Sequence, residues 1–176
     1  MCVWEAGDVA PATYLYTYDS IGNLIASEKK DASGNTVMRI YQNYDTSGQL
    51  VGQSVYLGDS NYAQNYTYTD KGYLATMSTG TGDTLSFAYD DLNRLGEVQD
   101  ARYTRKYTYR DYNPYYTTEQ IAQLQYNGLP TTLTYAYTYD NVGNIATYTA
   151  PGKNEVTYTY DKQGQLLSAV GDETYT

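Results

Sequence analysis

The sequence predicts an all-β fold, in which antiparallel β-hairpins repeat along the chain and stack into a long curved or spiralling sheet. Three observations carry this. Tyrosine makes up 25 of the 176 residues, against one Phe and one Trp, and wide aromatic side chains suit a pleated, half-wet surface. The pattern aromatic-x-Tyr-Asp-x-x-Gly-x-Leu returns about seven times, and self-similarity at such a period marks a stacked array rather than a globule closed on itself. Gly, Asn and Asp punctuate the alternating segments throughout, as turns between strands require.

Residues 1–13 form a lead-in, and the array occupies 14–176. The first copy is Tyr16-Thr17-Tyr18-Asp19-Ser20-Ile21-Gly22-Asn23-Leu24. Upstream, Tyr14, Tyr16 and Tyr18 alternate with Thr13, Leu15 and Thr17, the period of a strand. Asp19 can accept from backbone N–H groups just ahead of it, and Gly22 tolerates φ > 0, so a turn follows. The second copy, Tyr44-Asp45 with Gly48 and Leu50, has Gln42 in place of the first aromatic. The third, Tyr66, Tyr68, Gly72 and Leu74, puts Thr69 where Asp is expected. The fourth, Phe87, Tyr89, Asp90 and Leu95, has Asn93 at the Gly position, a residue that also reaches positive φ. The fifth, Tyr107-Thr108-Tyr109-Arg110, is the most worn. The sixth (Tyr137, Tyr139, Asp140, Gly143, Ile145) and seventh (Tyr158, Tyr160, Asp161, Gly164, Leu166) are complete. The second Tyr of each copy steps by 26, 24, 21, 20, 30 and 21 residues.

After each turn comes a second strand, such as Leu24–Lys29, then a second turn: Asp31–Asn35, Gly58–Asn61, Gly80–Asp83, Asn127-Gly128 or Pro151–Asn154. Each unit therefore reads as a hairpin. Seven hairpins make about fourteen strands, and at about 4.8 Å per strand the sheet would run about 65 Å. Strict alternation places Leu24, Ala26 and Glu28 on one face and Ile25, Ser27 and Lys29 on the other, so neither face is oily. The Tyr rings are expected to stack in ladders down neighbouring first strands, each hydroxyl wet or bonded. The rhythm breaks near 110–117, where an irregular loop is expected before a strand near 118–126. Thr117-x-x-Gln120 also has the form of a capping box, which would open a short helix over Glu119–Gln125; the strand is preferred.

Composition narrows the chemistry. Histidine is absent, which removes the commonest general base and metal ligand. One cysteine, Cys2, leaves no disulfide framework or Cys-rich zinc site. The net charge of −9 argues against a nucleic-acid or anionic membrane partner. No apolar run approaches the ~20 residues of a spanning helix, and no export signal opens the sequence. No catalytic residue, cofactor or metal site is expected.

The repeated Tyr-x-Tyr-Asp-x-x-Gly-Asn/Gln-Leu/Ile motif resembles the YD repeat of rearrangement-hotspot (RHS) proteins, over nearly the whole chain from Tyr14 to Tyr175. The resemblance implies a partial β-sheet shell. Bacterial members resemble containers that enclose a toxic C-terminal domain, and the related teneurins use a similar barrel in adhesion. It implies a fragment of a larger, extracellular or cell-surface protein, with the rest of that protein and an enclosed domain as partners. The Asp-Pro-x-Gly signature that usually ends such containers is absent, the four prolines being Pro11, Pro114, Pro130 and Pro151.

Local candidates are few. Asp19, Asp45, Asp90, Asp140 and Asp161 recur at one spacing, but their loop is too short to gather the six or more oxygens of a calcium site, and turn formation is the expected role. Tyr112, Tyr115 and Tyr116 cluster about Pro114 in the broken stretch and are the candidate ligand-binding residues, for a glycan or surface protein. Arg102, Arg105, Lys106 and Arg110 are expected to form a solvated patch neutralised by acidic neighbours such as Asp100 and Asp111. Trp4 is expected to cover the first strand. Exposed strand edges would invite edge-to-edge self-association. The expected function is a non-enzymatic structural module that encloses or displays an attached domain; the alternative is a carbohydrate- or protein-binding adhesion module using Tyr and Asp rows.

Overall fold

A computed structural model describes residues 11–113, 116–171 and 174–175. Cys2 and Trp4 lie outside the described residues. The chain divides into two compact units, one up to Thr84 and one from Leu85 on. The first holds β1 (Thr13–Tyr18), β2 (Leu24–Lys30), β3 (Thr36–Tyr44), β4 (Leu50–Leu57), β5 (Ser60–Tyr68) and β6 (Leu74–Thr79). The second, from the second residue of β7 (Thr84–Tyr89), continues through β8 (Leu95–Gln99), β9 (Thr104–Asn113), β10 (Tyr116–Asn127), β11 (Leu133–Tyr139), β12 (Ile145–Thr149), β13 (Val156–Tyr160), β14 (Leu166–Val170) and β15 (Thr174–Tyr175). Within each unit every strand pairs antiparallel with the next in sequence. The fold is all-β and hairpin-built. Among the described residues no helix is long and apolar enough to cross a membrane.

The motif's Asp closes the first turn of each hairpin. Asp19 Oδ1 accepts from the N–H groups of Ile21 and Asn23, both at 2.9 Å, and Asp19 Oδ2 accepts from the Asn23 side chain. Asp45, Asp90, Asp140 and Asp161 repeat the backbone pair. Asp31 does the same in a second turn. Thr69, with one short hydroxyl, accepts from Tyr73. The Gly position is left-handed, at φ 80° in Gly48, and Asn93 holds the same place at φ 63°.

A one-residue bulge follows each of these turns. Tyr18 lies opposite Leu24 but Thr17 lies opposite Ala26, so Ile25 has no partner. The same skip falls at Val51, Ala75, Gly96, Ala122, Ala146 and Leu167. The bulge corrects the expected faces of the second strand. Residues opposite each other share a face, so Leu24 joins Tyr18 on one side while Ala26 and Glu28 join Thr17 and Leu15 on the other. One extra residue flips the count. The result within each unit is a Tyr-bearing face, carrying Leu24, Leu50 and Leu74 in the first and Ile145 in the second, backed by a face rich in Thr, Ser, Asn and Gln.

Neither side supplies a conventional core. Val98, 5 % exposed, is the buried hydrophobic residue among those described. The Tyr face is half-buried by its own neighbours, as the alternation in β3 and β13 shows. Ring contacts run Tyr103–Tyr126–Tyr135–Tyr148–Tyr137 at centroid distances of 5.2 to 6.5 Å. This corrects the ladder down first strands: Tyr126 and Tyr148 belong to the second strands β10 and β12, because neighbours in an antiparallel sheet are successive strands.

The loop expected at 111–117 is a correction as well. Strand β9 continues to Asn113 and β10 starts at Tyr116. The irregularity lies in the pairing, with shifts between Tyr116 and Thr117, Thr117 and Ile121, and Ile121 and Gln123. Glu119–Gln125 is strand, not helix, since both sides of β10 find ladder partners.

The turn geometry generates a test. Gly48 has open space where a Cβ would stand, so Gly48→Ala isolates the cost of positive φ. Urea denaturation should show a loss of about 1 kcal/mol; an unchanged midpoint would mean the turn relaxes freely.

Candidate functional site

The motif's second Tyr reaches backwards. Its hydroxyl donates to the backbone carbonyl of the Leu or Ile that follows the preceding hairpin's turn: Tyr44 to Leu24 (3.1 Å) and Tyr68 to Leu50 (2.8 Å) in the first unit. In the second unit Tyr109 donates to Leu95 (2.9 Å), Tyr139 to Ile121 (2.8 Å) and Tyr160 to Ile145 (3.0 Å). The acceptor sits at the bulge, where ladder pairing is interrupted and a carbonyl is open to a side chain. Burial raises the pKa of Tyr68, Tyr109 and Tyr139 above the usual tyrosine value. Turn, bulge and staple thus make one device: the turn sets the bulge, and the bulge frees the carbonyl that the next hairpin grips.

Where the fifth copy departs from the motif, the site becomes specific. Eleven residues, Arg110–Gln120, separate Tyr109 from its partner Ile121, whereas five, Asp19–Asn23, separate Tyr18 from Leu24. The added length is the β9–β10 extension, and Arg94 fastens it. Its guanidinium lies 4.0 Å over the Tyr109 ring. Nε and Nη2 bond Asp90 Oδ2 at 2.8 and 2.6 Å. Nη1 donates to Thr117 Oγ1 (2.9 Å) and to the Thr118 carbonyl. The Arg94 side chain is 13 % exposed, and its hydrogen bonds hold the Asp90 carboxyl below the ordinary carboxylate range.

Across the extension, Thr117 and Thr118 both donate to the Arg110 carbonyl. Arg110 Nη1 donates to Gln120 Oε1 and lies over the Tyr139 ring at 5.4 Å. Gln120 Nε2 in turn donates to the Gly143 carbonyl at 2.8 Å, as Gln49 does to Gly72 in the first unit. Neither Arg94 nor Gln49 stood out in the sequence, and Gln120 did so only as part of a capping box that does not form. Their shared signal was position: each sits just before the Leu or Ile of its copy.

The motif residues occupy two kinds of place. Tyr16 and Tyr18 on β1 are 57 and 58 % exposed. Tyr66 donates to Gln64, and Phe87, Tyr89, Tyr107, Tyr137 and Tyr158 are half-buried on the Tyr face. Of the candidate binding residues, Tyr116 is 68 % exposed at the start of β10. The Tyr112 side chain and Tyr115 lie outside the described residues. The five motif Asp carboxylates face their own turns rather than one another, and no group of three or more metal-ligating side chains occurs among the described residues.

The expected basic patch is split between the two faces, and of its expected acidic neighbours Asp100 is held below the ordinary carboxylate range by backbone hydrogen bonds from Tyr103 and Arg102 and by the charges of Arg102 and Arg105. Strand alternation sends Lys106 to the polar face, 3.4 Å from Glu97, and Arg105 to the Tyr face beside Tyr103. Arg105 Nε is buried without a hydrogen-bond partner. Arg110 belongs to the extension, and Arg102 to a turn capped by Asp100.

A profile of the Teneurin YD-shell family matches residues 16–169. Among solved structures, the chain is similar to the TcdB2-TccC3-Cdc42 crystal structure at 16 % identity and a TM-score of 0.47, covering 92 % of this chain and 12 % of that one. It is similar to the Photorhabdus luminescens Tc holotoxin pore at 26 % identity and a TM-score of 0.46, covering 90 % and 7 %. A porin-like protein from Bacteroides uniformis is similar at 15 % identity and a TM-score of 0.40, covering 97 % and 91 %. The curated proteins contain no match.

Two outcomes follow from the staples. Tyr139→Phe should lower stability by about 1 kcal/mol, leaving the Ile121 carbonyl without its donor, with the urea slope unchanged. Tyr62→Phe, 61 % exposed, should be silent. The raised Tyr values in the folded chain mean that this stability is fully present below pH 10.0, the ordinary tyrosine value, and is lost as pH rises through the folded values above it. A thermal midpoint flat across pH 9–12 would contradict the staple. Arg94→Lys, which keeps the charge and loses the fork, should speed amide exchange over 116–118 while leaving 135–139 protected.

Proposed function

Because this chain belongs to the Teneurin YD-shell family, we propose that it is a non-enzymatic stretch of β-sheet shell in a longer, exported or surface-displayed protein, where it encloses or displays an attached domain. The observation that carries this reading is the repeated staple. Five copies spend their Asp on their own turn and five spend their second Tyr on the hairpin before it, so much of the motif chemistry goes into joining neighbours. A shell wall needs that and little else: local modules that add one after another, with stability arising between neighbours. The chain spans 12 % of the TcdB2-TccC3-Cdc42 structure and 7 % of the Tc holotoxin pore.

The test uses the parent protein. Tyr44, Tyr139 and Tyr160 changed together to Phe should expose the attached domain to limited proteolysis under conditions that spare it in the wild type. Equal protection in both would overturn the enclosing role. A second reading, adhesion through the β9–β10 extension, is favoured by the exposure of Tyr116 on an insertion that Arg94 anchors. Tyr116→Ala should then weaken capture of a surface protein or glycan without changing stability.

A further inference from the structure

Five tyrosines of the second unit that serve no staple lie ring against ring. Tyr103, Tyr126, Tyr135, Tyr148 and Tyr137 follow one another at centroid distances of 5.7, 6.1, 6.5 and 5.2 Å. All five are half-buried. The last pair is the closest among the described residues. Tyr137 lies directly opposite Tyr148 in the β11–β12 ladder, and the two rings tilt by 31°. Burial raises the pKa of both, so both phenols stay neutral at physiological pH and no phenolate charge pushes them apart. The first unit offers a contrast. Tyr41, opposite Ala26 and Ser54, and Tyr56, opposite Arg39 and Asn61, belong to the polar face. They meet edge to face at 5.8 Å and 84°, one ring aimed at the plane of the other.

Composition makes the five-ring run the oxidisable part of its unit. Residues 85–176 contain no Cys or Met, the sulfur side chains that oxidants attack first, and no Trp or His. A one-electron oxidant that reaches this unit therefore finds phenols as its readiest electron donors. Electron exchange between phenols in near contact lets a radical formed on one ring move to the next. An oxidant that meets any one of the five rings can thus leave radicals on Tyr137 and Tyr148. The one cysteine of the sequence leaves no disulfide with which to lock a strand pair.

We propose that Tyr137 and Tyr148 are an oxidative cross-linking site, where a peroxide-fed one-electron oxidant of the haem-peroxidase class joins the two rings as dityrosine. Each phenol gives up one electron and its hydroxyl proton. The two radicals couple through one new C–C bond between a Cε atom of each ring. The hydrogen on each bonded Cε then moves to the oxygen of its own ring, which restores both hydroxyls and both aromatic systems. One hydrogen peroxide takes up the two electrons and two protons and becomes two waters. The new bond ties β11 to β12 and closes the Asp140 turn into a covalent ring, which restrains the unfolded chain as a disulfide does. The site holds whether or not the chain encloses a domain.

Oxidation of the full chain by a haem peroxidase and hydrogen peroxide tests it, with the products mapped by tandem mass spectrometry. A protease that cleaves before Asp parts Tyr137 from Tyr148 at Asp140, so the cross-link appears as two joined peptides. That product should be the most abundant cross-link within the monomer. It should fall to the level of other pairs when the same chain is oxidised unfolded in urea. Tyr148→Phe and Tyr137→Phe, which keep the rings, should each abolish it, and Tyr116→Phe should leave it unchanged. Oxidation should raise the urea midpoint of the wild type and not that of Tyr148→Phe. Circular dichroism verifies folding, and the comparison of folded with unfolded wild type decides even if a variant does not fold. Cross-links spread over exposed tyrosines such as Tyr14, Tyr62 and Tyr116, with the Tyr137–Tyr148 product no more frequent than in urea, overturn the proposal. So do cross-links that form between chains alone.

Discussion

The bond from a tyrosine hydroxyl to the backbone carbonyl of the preceding hairpin is the constraint on which the rest of this structure depends. A sheet with both faces wet cannot draw its stability from a packed core, and Val98 is the one buried hydrophobic side chain described. The ladder joins successive strands, but strands held by the ladder alone can slip in register wherever neither face is strongly apolar. The staple removes that freedom. It needs a free carbonyl at a set place, the bulge provides it, and the Asp turn places the bulge. Asp, Gly, Leu and Tyr therefore recur together because each is one part of a single joint.

That joint tolerates wear in graded ways. Thr69 caps its turn through a hydroxyl that accepts from Tyr73, where the other copies use a carboxylate. Asn93 replaces Gly because its short polar side chain permits a left-handed backbone. Arg94, in the place of Asn, reaches past its own turn to Thr117 and Thr118. A longer hairpin is accommodated because the Tyr109–Ile121 pair closes its base while Arg94 holds Thr117 and Thr118 within it.

The hairpins, their order and most of their turns were legible from residue type, because turns and alternation are local; the turn at Asp100–Tyr103 was not singled out. Asp19 and Gly22 announce a turn whatever surrounds them. The faces were not legible, because strict period-two counting from Leu24 meets an extra residue at Ile25. The break near 110–117 was visible as a lost motif, but a loop was inferred where β9 reaches Asn113 and β10 begins at Tyr116. The polar-face pair Tyr41 and Tyr56 was hidden among 25 tyrosines; only the registers across β2 to β5 separate them from the rest.

By itself the sequence determined the repeating unit and its family resemblance, since both rest on short-range patterns written in consecutive residues. The tertiary structure alone decided which carbonyl each tyrosine grips, where Arg94 anchors the insertion and which face Tyr41 occupies. Those depend on partners 14 to 24 residues away, and on bulges that reverse the sense of a strand. A one-residue shift in register reassigns every such contact at once, and nothing in the local sequence fixes that shift until the neighbouring hairpin is in place.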